Sequence, residues 1–110
     1  MLFSYNNIGD IMNNNLKGVV IDPGHGGVDS GAIGNDILEK DYNLQISRYM
    51  YDRFRELGVP VYLTRDSDTT LEPTDRVNKV LSLFGNDPNV IVISNHLNAG
   101  GGDSHCVTNV

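Results

Sequence analysis

Apolar residues fall into two rhythms along this chain. From Gly18 to Asp22, and again from Val90 to Ser94, they run almost unbroken as Gly-Val-Val-Ile-Asp and Val-Ile-Val-Ile-Ser. Short β-branched runs of this kind predict strands covered on both faces. Val59 to Thr64 predicts a further strand between them. From about Glu39 to Leu57 the rhythm changes: Tyr42, Ile46, Tyr49, Met50, Phe54 and Leu57 recur at three- and four-residue steps. That spacing predicts a helix with one apolar stripe, and Gly58 stands at the usual stopping position. A second helix is predicted from Pro73, a good first-turn residue, through Val77, Val80, Leu81 and Phe84 to a stop at Gly85.

The resulting order, βαβαβ, predicts an α/β fold: a mostly parallel sheet with right-handed crossovers, flanked by helices. In such sheets ligands bind beyond the carboxyl ends of the strands, where the strand order reverses. Three residues with metal-binding chemistry occupy that kind of position. His25 follows the first strand in Asp22-Pro23-Gly24-His25-Gly26-Gly27, His96 follows the last in Ser94-Asn95-His96-Leu97-Asn98-Ala99, and Glu39 opens the first helix. They can meet if the first and last strands are neighbours and the Val59–Thr64 strand lies on the outer side of the first. Two imidazoles and a carboxylate, with a fourth position left for water, form a ligand set used by catalytic zinc.

Taken singly, each of these residues has a plainer explanation. Glu39 alone is a first-turn acid favoured by the helix dipole, and His96 alone is a hydrogen-bonded strand-end histidine. The Gly24-His25-Gly26-Gly27 turn resembles a phosphate cradle, but it lacks the Gly-Lys-Ser/Thr ending and the Gly-x-Gly-x-x-Gly frame. Asp22 reads as a turn former or as a hydrogen-bond partner for a histidine. Asp29, Asp66, Asp68 and Asp75 read as loop and cap residues, and His105 as a tail residue without a partner.

Composition narrows the classes further. With 110 residues the chain is one domain at most. Eight basic against fourteen acidic side chains, with no Lys/Arg cluster, argue against a nucleic-acid partner. The lone Cys106 excludes an internal disulfide and a cysteine-rich zinc knuckle. No apolar run is long enough to span a membrane, and the N-terminus lacks the parts of a signal peptide. Residues 1–16, rich in asparagine and without a sustained period, are expected to be a poorly ordered extension.

The combination of motifs resembles a known family. Val20-Ile21-Asp22-Pro23-Gly24-His25-Gly26-Gly27-Val28-Asp29-Ser30-Gly31-Ala32 is similar to the opening of zinc-dependent N-acetylmuramoyl-L-alanine amidases. Leu38-Glu39-Lys40-Asp41-Tyr42-Asn43-Leu44 matches the family's next landmark, Thr64-Arg65-Asp66 and Arg76 fit its middle section, and Ser94-Asn95-His96-Leu97-Asn98-Ala99 fits its Ser-x-His-x-Asn-Ala element. The resemblance implies that His25, Glu39 and His96 are zinc ligands. It also implies that the partner is peptidoglycan and the bond cleaved is the amide joining N-acetylmuramic acid to L-alanine.

The resemblance covers residues 17–103, read as the N-terminal portion of an amidase catalytic domain, and residues 104–110 read as a tail outside the family pattern. A late glutamate assigned to catalysis in the family has no counterpart here, and neither Glu56 nor Glu72 is well placed to replace it. No catalytic residue is therefore assigned. The fold is expected to be incomplete at its C-terminus, leaving a sheet edge through which copies self-associate. The second reading is a catalytically incomplete zinc- or muropeptide-binding fragment.

Overall fold

The computed structural model describes residues 16–97. The extension expected over residues 1–16, Leu16 apart, and the tail expected over residues 104–110 lie outside the described residues, as does His105. Strand β1 (Gly18–Pro23) leads into two short strands, β2 (Ile33–Gly34) and β3 (Ile37–Leu38). Helix α1 (Glu39–Glu56), strand β4 (Val61–Leu63), helix α2 (Pro73–Phe84) and strand β5 (Val90–Asn95) follow. The main sheet is parallel in the order β4-β1-β5. The α/β fold is thus present, with β1 between its two neighbours.

The central position of β1 explains its sequence. Val19 sits opposite Val61 on one side and Ile91 on the other, and Ile21 opposite Leu63 and Ile93. Val19, Val20 and Ile21 retain no exposed surface. Burial of each such side chain contributes about 1.5–3 kcal/mol, so this one strand anchors the core. Gly18 is required where β1 begins, because a Cβ there would lie 2.3 Å from the Phe84 ring of α2.

Helix α1 departs from the predicted stripe. Met50, Phe54 and Leu57 pack against the Val19–Ile21–Val59–Val61 cluster as expected. Tyr42, Ile46 and Tyr49 face outward, Tyr49 being 68% exposed. In the first half of the helix the buried residues are Glu39, Asn43 and Ser47. The reason is polar: this half packs on backbone rather than on apolar side chains. Asn43 Nδ2 donates to the Gly24 carbonyl (3.1 Å), while Asn95 Nδ2 donates to the Asn43 carbonyl (3.1 Å) and to Ser47 Oγ (3.3 Å).

A second difference is the antiparallel β2–β3 hairpin, in a stretch that reads in sequence as an open glycine loop. Its two turn residues, Asn35 and Asp36, have φ of 50° and 61°, as a tight two-residue hairpin requires. The hairpin returns the chain to the first turn of α1, which has no side-chain cap. The helix N–H groups of Glu39 and Lys40 instead donate to the carbonyls of Ala32 (2.9 Å) and Ser30 (3.0 Å). These bonds satisfy donors that a helix start leaves open and tie the glycine loop to Glu39. No described helix is long and apolar enough to cross a membrane.

Candidate metal centre

Parallel pairing in register brings two chain turns to one edge of the sheet. Pro23 and Asn95 end β1 and β5 opposite each other, and Gly24 N–H extends the pairing by donating to the Asn95 carbonyl at 2.9 Å. His25 and His96 therefore leave the sheet side by side, with ring centroids 4.9 Å apart and planes at 86°. The first turn of α1 brings Glu39 between them. His25 Nε2 lies 3.1 Å and His96 Nδ1 3.3 Å from the same oxygen, Glu39 Oε2. One donor atom from each of the three residues falls within 4.8 Å of the others.

Glu39 is 5% exposed, and a buried carboxylate is costly unless its lone pairs are used. Here they are. Oε1 accepts the Ala32 N–H (3.0 Å), and Oε2 accepts Asn43 Nδ2 (3.2 Å) and the Leu97 N–H (3.0 Å). Burial pushes the Glu39 pKa upward, but the Ala32 and Asn43 hydrogen bonds, His25 and the Leu97 N–H together hold it below the usual glutamate value. The group is an anion held ready at the cluster.

Two glycines make room for these three side chains. A Cβ on Gly24 would lie 2.3 Å from His96 Cε1, and one on Gly31 would lie 2.6 Å from His25 Cδ2 and 2.8 Å from Glu39 Oε1. His25 itself has φ of 61°, a left-handed conformation uncommon outside glycine and worth about 1–3 kcal/mol of strain. Two arginines hold this backbone. Arg76 donates to the carbonyls of Pro23 (2.7 Å) and His25 (3.0 Å). Arg65, 4% exposed, donates to those of Pro23 (3.2 Å) and Gly24 (2.9 Å). The opposite flank is held by Asp68 on the Gly27 N–H (2.7 Å), Thr70 Oγ1 on the Val28 N–H (3.0 Å), and Lys40 Nζ on the Gly27 carbonyl (2.9 Å).

Asp22 is not the histidine partner that was one of its two expected roles, and Asp29, expected to be a loop residue, makes that contact as well as its loop bonds. Asp22 touches neither histidine; it accepts from Thr64 Oγ1 (2.7 Å), Arg76 Nη1 (2.6 Å) and Ser94 Oγ (3.1 Å), binding β1 to the ends of β4 and β5. The carboxylate on a histidine is Asp29, whose Oδ2 lies 2.8 Å from His25 Nδ1. That bond, followed by the Gly31 N–H, holds the Asp29 carboxyl below the ordinary aspartate range. The signal in the sequence was the spacing His25-x-x-x-Asp29 within a glycine loop. Asn43, Arg65 and Arg76 also emerge as supporting residues whose roles no local pattern announces.

The three converged residues suit a metal ion. Ligand bonds of ~2.0–2.1 Å at tetrahedral angles separate neighbouring donors by roughly 3.3 Å; Glu39 Oε2 stands 3.1 and 3.3 Å from the two histidine nitrogens, and the three donors together lie within 4.8 Å. Nitrogen and carboxylate donors together are a set that zinc accepts.

Comparisons with known proteins agree with this geometry. The family model described as N-acetylmuramoyl-L-alanine amidase matches residues 19–108. The germination-specific N-acetylmuramoyl-L-alanine amidase of Bacillus subtilis (strain 168) is 37% identical over 93 residues, which is 76% of this chain and 39% of that protein. The amidase LytC of the same strain is 40% identical over 86 residues, covering 78% of this chain and 16% of LytC. Among solved structures, the catalytic domain of CwlV from Bacillus (Paenibacillus) polymyxa aligns with a TM-score of 0.69 at 36% identity, over 81% of this chain and 49% of that one. An amidase from Clostridium difficile 630 aligns with a TM-score of 0.71 at 30% identity, over 84% and 49%. The chain thus spans 39% or less of these two curated relatives. With a family match over residues 19–108, the chain belongs to the N-acetylmuramoyl-L-alanine amidase family.

Proposed function

We propose that His25, Glu39 and His96 hold a zinc ion, and that the site serves hydrolysis of the amide between N-acetylmuramic acid and L-alanine in peptidoglycan. The observation that supports this most is the single Glu39 oxygen lying 3.1 and 3.3 Å from nitrogens of two different histidines. When bound, zinc supplies polarisation of the scissile carbonyl and acidification of the attacking water. The chain's own contribution is to bring two neutral ligands and one anion together on a braced backbone. The two Bacillus subtilis relatives named above are N-acetylmuramoyl-L-alanine amidases, which supports the choice of substrate.

A second reading has its own support. Glu39 is the one carboxylate in the cluster among the described residues, and both its oxygens are engaged. Amide hydrolysis also needs a group that takes a proton from water and returns it to the leaving amine, a contribution of roughly 10²–10⁴-fold. On this reading the chain binds zinc and muropeptide, and another segment supplies proton transfer. Incubating the zinc-loaded 110-residue chain with purified peptidoglycan and counting new L-alanine amino termini separates the two. The amidase reading expects zinc-dependent release that Glu39→Ala removes. The binding reading expects soluble muropeptide to be retained while release falls short of the CwlV catalytic domain by about 10²–10⁴-fold.

We also propose that copies associate through β5. This strand is only half-buried along its whole length, whereas β1 is buried throughout. An edge of this kind pairs readily with another chain. Sedimentation should show a concentration-dependent oligomer, which Val92→Lys on β5 weakens; a monomer at all concentrations would refute the proposal.

A further inference from the structure

We infer that Asp29 is the positioning residue of the metal centre: it fixes the ring and the tautomer of His25 so that Nε2 is the ligand atom. The inference rests on the reading of the cluster as a metal site. Asp29 sits at the end of a tight loop closed on itself, where the Gly26 N–H donates to the Asp29 carbonyl (2.8 Å) and the Asp29 N–H to the Gly26 carbonyl (3.0 Å). Its Oδ1 accepts the Gly31 N–H at 3.1 Å, which turns Oδ2 toward His25 Nδ1, 2.8 Å away. In a neutral imidazole a carboxylate at that distance selects the proton on Nδ1. With an ion in the cluster Nε2 would offer its lone pair there, beside Glu39 Oε2 at 3.1 Å, and the ring proton would stay on Nδ1 against Asp29.

The two histidines thereby use different nitrogens: Nε2 for His25 and Nδ1 for His96. Free neutral imidazole favours the proton on Nε2, so His25 needs a partner to hold the other tautomer, whereas His96 presents Nδ1 without one. The backbone of His25 is fixed separately, through the Arg76 bond to its carbonyl. Asp29 therefore governs the ring and Arg76 the chain. A purely structural part for Asp29 is a poor fit, since its side chain is 62% exposed and an exposed ion pair contributes only about 0–1 kcal/mol.

The test compares Asp29→Ala with Asp68→Asn. Asp68 braces the same loop through the Gly27 N–H and Lys40 but touches no ligand. Zinc alone is the probe, titrated against a chelator, and long-range ¹⁵N–¹H spectra of the zinc-loaded protein report which nitrogen of His25 carries its proton. Asp29→Ala should weaken zinc binding by about 10–100-fold and move the His25 Nδ1–H signal away from the downfield position of a carboxylate-bound N–H, with thermal unfolding of the metal-free chain little changed. Asp68→Asn should leave that signal in place and lower affinity by less than Asp29→Ala does. The inference is overturned if Asp29→Ala binds zinc as the parent does, if the zinc-loaded parent carries the His25 proton on Nε2, or if Asp68→Asn matches the loss with the Nδ1–H signal unmoved. A parent chain that binds no zinc would overturn the metal reading and this inference with it.

Discussion

Replacing His25, Glu39 or His96 by Ala is expected to remove measurable zinc binding, a larger loss than the roughly 10–100-fold typical of altering a residue behind the ligands. Each contributes one of three donor atoms gathered within 4.8 Å, and two donors do not make a stable site for an ion that takes four. His105→Ala, at a residue that follows no predicted strand, should bind as the parent does. Gly24→Ala is the sharper version of the same experiment. It removes no ligand and needs no left-handed backbone, yet its Cβ would stand 2.3 Å from His96 Cε1. The His96 ring must swing away from Glu39, so affinity should fall steeply while the circular dichroism of the metal-free chain stays that of the parent. Equal binding by His96→Ala and the parent, or an effect of His105→Ala as large as that of His96→Ala, would overturn the ligand assignment.

Much of this site was legible before the fold was known, because its parts lie on strong local signals. The unbroken apolar runs at Val19–Ile21 and Val90–Ile93 could only be strands, and parallel pairing carries the residues after them to one edge. Glu39 stood at a helix start. The main misreading was in α1, where apolar spacing pointed to Tyr42, Ile46 and Tyr49 as the buried face. The helix turns Asn43 and Ser47 inward instead, because the surface beneath it offers the Gly24 carbonyl and the Asn95 amide rather than methyl groups. Periodicity registers where apolar side chains recur, and it is blind to a face selected by hydrogen bonds. The same blindness hid which of Asp22 and Asp29 meets the His25 imidazole. Both are aspartates near a glycine turn, and only the direction of the chain after His25 decides which one reaches the imidazole. The β2–β3 hairpin was missed for a related reason: Ile33–Gly34 and Ile37–Leu38 are too short to show alternation, and Asn35-Asp36 is a weaker turn signal than Asn-Gly.

Arg65→Ala should be the most destabilising single substitution outside the apolar core. In sequence Arg65 is a strand-end residue in the Thr64-Arg65-Asp66 element; in the fold its guanidinium is the hub of four carbonyls from three chain segments. It donates to the carbonyls of Pro23 (3.2 Å), Gly24 (2.9 Å), Lys40 (3.0 Å) and Ser67 (3.0 Å), joining the end of β1, the start of α1 and the loop after β4. Burial, reinforced by the neighbouring Arg76, pulls its pKa below the ordinary arginine value, so the charge is held at some cost and is retained for the acceptors it serves. Truncation leaves several of them without a donor, at about 1–3 kcal/mol for each one that water cannot reach. A total loss of at least about 3 kcal/mol follows, a large part of what a domain this size has in hand. Thermal unfolding of the metal-free chain should move down by upwards of about 10 °C. Arg65→Lys keeps the charge but has no planar fork to span four carbonyls, and should fall between parent and Ala. Arg48→Ala, which removes a more exposed bond to the Asp66 carbonyl, should cost no more than about 1 kcal/mol. An Arg65→Ala chain that unfolds within about 1 kcal/mol of the parent would show that the loop of Pro23, Gly24 and His25 is held by the glycine turn and Arg76 alone. If instead the loss is as large as expected, the Pro23–Gly24 backbone that leads into the left-handed His25 rests on a buried guanidinium, and the convergence of His25, Glu39 and His96 needs no ion to hold it.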